Sequence, residues 1–197
     1  MSPDIAVLIE KIRALEAELE AELAKRRAEL RVGLEKGRAL FEAEILRRHR
    51  ELRTRLSRYI LNANPLVVLT APVIYAVIVP LVLLDVFVTL YQAVCFPVYG
   101  IPKVRRRDYL VFDRHHLAYL NALEKLNCAY CSYANGLIAY VREIAGRTEQ
   151  YWCPIKHARR TIGAHPHYAQ FEDYGDADGY RKWLEQFHKA AAKDDGR

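Results

Sequence analysis

The stretch Pro65–Phe96, PLVVLTAPVIYAVIVPLVLLDVFVTLYQAVCF, decides how the rest of the chain is organised. Its 32 residues carry one formal charge, Asp85, and no Lys, Arg or Glu. Apolar runs of about 18 residues or more read as membrane-embedded. One crossing needs about 20 residues and two need about 40 plus a turn, so this length fits neither without strong tilt. Pro72 and Pro80 interrupt it, with Pro80 dividing it into two nearly equal pieces. Both flanks are rich in Lys and Arg, which the positive-inside rule keeps in the cytoplasm. These features predict a re-entrant, proline-kinked hairpin over residues 65–98, with a single kinked span as the alternative.

The placement of charge supports the same reading. The net charge is +6, and the basic residues crowd the ends of the apolar run. Arg47, Arg48, Arg50, Arg53, Arg55 and Arg58 precede it; Lys103, Arg105, Arg106 and Arg107 follow it. Such clusters attract anionic headgroups at about 1 kcal/mol per residue. Arg55, Arg58, Lys103, Arg105, Arg106 and Arg107 are therefore the expected headgroup contacts. The expected partner is a lipid bilayer and not nucleic acid. The first 60 residues are charged and helical in pattern, without the apolar region of a signal peptide. The expected location is a cell membrane, the bacterial inner membrane, with both termini cytoplasmic.

Asp85 stands out because a carboxylate in hydrocarbon costs a few kcal/mol. It is a candidate for an ion or proton path in an oligomer. The competing reading is a carboxylate in the first turn of a helix that starts at Pro80.

Working outward towards the N-terminus, residues 5–61 lack proline and predict one long helix, placed over 4–61. Leu8, Ile12, Leu19, Leu23, Leu30, Leu34, Phe41, Ile45, Leu52 and Leu56 recur at spacings of 4 and 7, an 11-residue repeat. Eleven residues in three turns follow the natural helix closely, giving a nearly straight coiled-coil seam. A lone helix would leave that stripe exposed, so self-association is expected. Gly33 and Gly37 oppose the helix by about 1 kcal/mol each.

Working outward the other way, residues 103–170 predict a small helical Cys/His domain. Leu117, Leu120, Leu123 and Leu126 mark a helix face begun by Asp113, and Asn135-Gly136 marks its end. Cys128 and Cys131 form a C-x-x-C pair, and Cys153 and His157 a C-x-x-x-H pair. Proline after Cys153 predicts a new helix with His157 one turn on, beside Cys153. Three thiolates and one imidazole form a closed tetrahedral set, so the expected cofactor is structural zinc held by Cys128, Cys131, Cys153 and His157. Three cysteines in a polar zone make a poor disulfide framework and favour a reducing compartment. Iron–sulfur ligation wants four cysteines, and covalent haem wants His where Ser132 stands. Residues 176–192 predict a short amphipathic helix capped by Asp178.

The expected architecture is all-α. The expected role is an oligomeric membrane scaffold or an accessory subunit of a membrane complex. Two rival functions follow from the same residues. One is a membrane-bound metal-dependent or redox enzyme using the Cys/His cluster; the other is an oligomeric channel with Asp85 in its path.

Overall fold

The computed structural model describes residues 3–29, 32–35, 38–41 and 43–194. Among the described residues the chain is mostly helical, with one antiparallel pair of short strands. The first helix, α1 (Pro3–Glu29), is followed by β1 (Val32–Glu35) and β2 (Arg38–Phe41). These strands pair antiparallel with Val32 opposite Phe41 and Glu35 opposite Arg38. Two short helices follow, α2 (Ala43–Glu51) and α3 (Leu56–Leu61). The single helix expected over 4–61 is thus broken twice. Gly33 lies in β1, where the helix penalty of glycine no longer applies, and Gly37 lies outside the described residues. The second break falls within the arginine-rich run, where Arg55 has extended backbone, φ −61° and ψ 135°. Like charges three residues apart, Arg47/Arg50, Arg50/Arg53 and Arg55/Arg58, oppose a helix there.

The 11-residue seam does not survive beyond α1. Leu34 and Phe41 lie in strands, and Leu30 lies outside the described residues. Leu8, Ile12, Leu19 and Leu23 are exposed on α1, as are Val7 and Leu15, which do not belong to the seam.

The chain forms two compact units, one of residues 1–69 and 112–131, the other of residues 70–111 and 132–197. In the first unit, the His49 ring meets Tyr119 edge-on at 5.0 Å. The same unit holds the start of α6 (Ala122–Trp152). Asn121, not Asp113, begins this helix. Asn121 Oδ1 accepts the N–H groups of Leu123 and Glu124, each at 3.0 Å, and Glu124 Oε2 accepts the Asn121 N–H at 2.8 Å. This reciprocal box satisfies donors that a helix start otherwise leaves unpaired.

The apolar segment forms α4 (Pro65–Ala76) and α5 (Ile78–Val98), separated by Val77. Pro80 offers no N–H to Ala76, four residues back, and its ring crowds that carbonyl. The interruption accordingly falls at Val77 and not at Pro80 itself. Val77 keeps right-handed helical angles, φ −62° and ψ −17°, and accepts the Leu81 N–H at 3.3 Å. The chain does not turn back here, so the hairpin expected at Pro80 is replaced by an interrupted helix. Pro65–Val98 is long and apolar enough to cross a membrane. Its most apolar 18-residue window has mean hydropathy 2.7 and none of it is buried.

The core of the second unit lies between α5, the return segment 99–111 and α6. Phe96, Ile101, Val104, Leu110, Leu137, Tyr140 and Ile144 are buried there, with Leu81, Val88 and Tyr91 packed against them. Gly136 explains why α6 continues where a break was expected. A Cβ at this position would lie 2.6 Å from the Tyr109 carbonyl oxygen and 3.2 Å from Leu110 Cα. The glycine therefore admits close backbone packing and does not make a turn.

α6 stops at Trp152, two residues before Pro154, because the residue preceding a proline disfavours helical angles. Pro154 is fully buried, and Ile155 forms an isolated parallel bridge with Glu172. The helix expected to start at Pro154 is absent, and residues 153–157 lie along 171–173 instead. Finally, α7 (Ala177–Asp194) begins at Asp176, whose Oδ1 accepts the Gly179 N–H at 2.8 Å, so Asp176 takes the role expected of Asp178.

Candidate functional site

Asp85 sits on the inner face of α5, where its side chain is only 13% exposed. Arg106 Nη2 donates to Asp85 Oδ2 at 2.6 Å and Arg106 Nε to Oδ1 at 3.3 Å. Tyr133 O–H from α6 donates to Oδ2 at 3.0 Å, and Thr89 Oγ1–H to Oδ1 at 3.3 Å. The carboxylate is thus neutralised and held by groups from α5, the return segment and α6. The bond to Asp85 raises the Arg106 pKa above its ordinary value. Burial, then the bond to Asp85, raises the Tyr133 hydroxyl. A carboxylate engaged on both oxygens has the geometry of a latch.

One turn or two further along, Gln92 is buried and grips the return segment by its backbone. Its Nε2 donates to the Val104 carbonyl at 3.3 Å, and its Oε1 accepts the Val104 N–H at 3.0 Å. The same Nε2 donates to the Tyr140 hydroxyl. A buried amide that satisfies a loop residue at both ends fixes that loop against the helix.

A second charged cluster joins α6 to segment 157–171. Arg147 Nε donates to Glu143 Oε1 at 2.8 Å, and Arg147 Nη1 donates to the Pro102 carbonyl at 2.7 Å. His167 Nε2 lies 3.1 Å from the same Glu143 oxygen, and His165 Nε2 lies 2.8 Å from Glu149 Oε2. Burial alone would raise the Glu143 carboxyl. Bonds from Arg147 and His167 overcome it and hold the group below its ordinary value. Tyr91 completes the contact, its hydroxyl 3.0 Å from Thr148 Oγ1, which itself donates to the Ile144 carbonyl.

The expected zinc ligands are not brought together. Cys128 and Cys131 stand near the start of α6, and Cys153 follows its end, with about six helical turns between them. His157 is exposed on the segment after Pro154. All four cysteines, Cys95 included, are free. Among the described residues, no group of three or more His, Cys, Asp or Glu side chains could hold a metal ion. Local desolvation and the nearby Glu149 charge push the Cys153 thiol up.

The expected headgroup contacts divide into two kinds. Arg55, Arg58 and Lys103 are exposed. Arg105 and Arg107 are exposed but share Asp108, at 2.9 and 3.9 Å. Arg106 instead turns inward to Asp85.

No protein-family model, no curated protein and no solved structure matches this chain.

Sequence reasoning missed Gln92, Glu143, Arg147, His165 and His167 as organising residues. Gln92 carried a signal, as an amide at i+7 from Asp85 on the same helix face. The spacing of Glu143 and Arg147, four apart on α6, carried another. His165 and His167 had none, since their partners lie 16 and 24 residues away.

Proposed function

We propose that this chain is a membrane-anchored helical scaffold whose anchor enters one face of the bilayer without crossing it. The observation that carries the reading is the exposed apolar surface along Pro65–Val98. Residues on all sides of α4 are exposed, with Leu69 at 73%, and so is the outer face of α5, including Phe87 at 68%, Leu90, Val94 and Val98. A helix apolar all round requires a protein interior or lipid. Continuous apolar surface of this extent exceeds what a soluble monomer exposes.

The one-sided topology rests on contacts within the first unit. His49, before the apolar segment, meets Tyr119, after it. If residues 65–98 crossed the bilayer, residues 99–118 would have to cross back. That return carries Lys103, Arg105, Arg106, Arg107, Asp108, Asp113 and Arg114, of which Arg106 is neutralised within the segment's own unit by Asp85. At roughly 2.5–3.5 kcal/mol for a charged residue at the bilayer centre, the penalty is on the order of 10 kcal/mol or more. Lying in one leaflet avoids it and leaves both basic flanks at the same headgroup layer.

Self-association through α1 completes the scaffold reading. The exposed Ile12, Leu15, Leu19 and Leu23 follow one another at three and four residues, the spacing that pairs helices in water. Such a scaffold would serve as an accessory subunit of a larger membrane assembly.

The test uses the full chain in oriented vesicles. Single cysteines at position 57, by Ser57→Cys, and at native Cys153 are introduced into an otherwise cysteine-free background. A membrane-impermeant maleimide should label both from the same side, and the protein should resist carbonate extraction. Labelling from opposite sides would sink the one-sided topology, and release by carbonate would sink the anchor.

A further inference from the structure

We propose that the first unit carries a binding site for a phosphate group, in the cleft between the Arg50–Leu56 segment and the N-terminus of α6. The cleft has a volume of about 540 Å³; Arg50, Arg53, Thr54 and Arg55 line one side, Asn121 and Ala122 the other. Among the described residues, no ion pair holds the guanidinium of Arg50, Arg53 or Arg55. Among the described residues the one acid on the cleft is Glu51, whose Oε1 lies 4.0 Å from Arg47 Nε.

Asn121 supplies the independent observation. The residue is 5% exposed, and its amide nitrogen Nδ2 has no hydrogen-bond partner. The orientation of the amide is not arbitrary. Oδ1 is committed to the N–H groups of Leu123 and Glu124, so the unpaired atom must be the donor. A buried donor left unpaired is unfavourable, and an acceptor placed in the cleft would satisfy it. Ala122 N–H, in the first helical turn, also lacks an intrahelical acceptor. The helix dipole of α6 adds positive potential at the same point.

Two N–H donors and three guanidinium groups lining one cleft suit a tetrahedral dianion better than a planar carboxylate. Among the described residues no aromatic side chain lines the cleft, so the recognised element is the phosphate and not a stacked base. The phosphate could arrive on a lipid headgroup or on a soluble molecule, and the chemistry is shared. The proposal does not depend on the membrane reading, because a soluble phosphate would fill the same donors.

Isothermal titration of the full chain in dodecyl maltoside tests it in two arms, one with inorganic phosphate and one with short-chain phosphatidic acid. Asn121→Asp keeps an equally good helix cap but replaces the donor with a carboxylate. It should weaken binding roughly 10- to 100-fold with helix content and melting unchanged. Arg53→Gln should weaken it about tenfold. Binding of both probes assigns a phosphate site of general use; binding of phosphatidic acid alone assigns the lipid headgroup. The proposal is overturned if neither probe binds, or if a folded variant binds as well as wild type. Should Asn121→Asp lose helix content, Arg53→Gln decides alone.

Discussion

Arg106 Nη2 lies 2.6 Å from Asp85 Oδ2, yet the two partners are unequally buried, with side-chain exposures of 47% and 13%. The pair therefore should not break symmetrically. Removing Asp85 frees a guanidinium that can turn to solvent, whereas removing Arg106 strands a carboxylate inside the packed unit. Asp85→Asn should cost about 1 kcal/mol, and Arg106→Leu about 3 kcal/mol, in denaturant unfolding in detergent. Equal losses, or a larger loss for Asp85→Asn, would mean that the latch does not hold the return segment to α5.

Gly136 offers a steric test. Alanine normally favours a helix interior over glycine by about 1 kcal/mol. Here its methyl would press on the Tyr109 carbonyl and Leu110 Cα, contacts with backbone that cannot rotate away. Gly136→Ala should destabilise by about 1–3 kcal/mol despite the propensity gain. A stabilised variant would show that α6 and segment 109–110 are not in close contact.

The Glu143 cluster predicts acid sensitivity with a definite sign. Its folded-state pKa lies below the ordinary value of 4.5. A depressed carboxyl contributes stability that is present above its unfolded value and is lost as pH falls through the folded value. Wild-type stability should therefore decline below about pH 4.5. Glu143→Gln should be less stable by about 2 kcal/mol at neutral pH and should show a shallower acid decline. Parallel wild-type and variant curves across the acid range would remove Glu143 from the account.

Zinc gives a clean negative expectation. With Cys128 and Cys131 separated from Cys153 by most of α6, elemental analysis of purified protein should find no stoichiometric zinc. Cys128→Ser and Cys153→Ser should each shift stability by less than about 1 kcal/mol. Stoichiometric metal lost in either variant would show that these residues meet in some arrangement other than the one described.

The sequence made the apolar segment and the helical character of most of the chain legible, because both depend on local composition. It also showed Asp85 to be exceptional, but its partners lie 21 and 48 residues away, beyond any periodic signal. The 11-residue repeat misled for a physical reason. Spacing reports which residues would share a face if a helix formed, and it carries no record of Gly33, Gly37 or repelling arginines. The C-x-x-C and C-x-x-x-H pairs are a signal of the same local kind. Each spacing is a local regularity, and the zinc reading required α6 to break at Gly136, where close packing keeps it whole. The Asn121 cap was legible in Asn-x-x-Glu, and the leucine face of the following helix drew the start too early.

Phe96 belongs to the apolar segment, yet it is wholly buried in the core shared with Leu137, Tyr140 and Ile144. The end of the apolar segment and the later part of α6 therefore complete a single core. A ribosome making about 5–20 residues per second delivers Leu137 roughly 2–8 s after Phe96. Through that interval the inner face of α5 has no α6 to cover it. A protease cutting near Lys103 would divide this core, leaving Phe96 on one piece and Leu137, Tyr140 and Ile144 on the other.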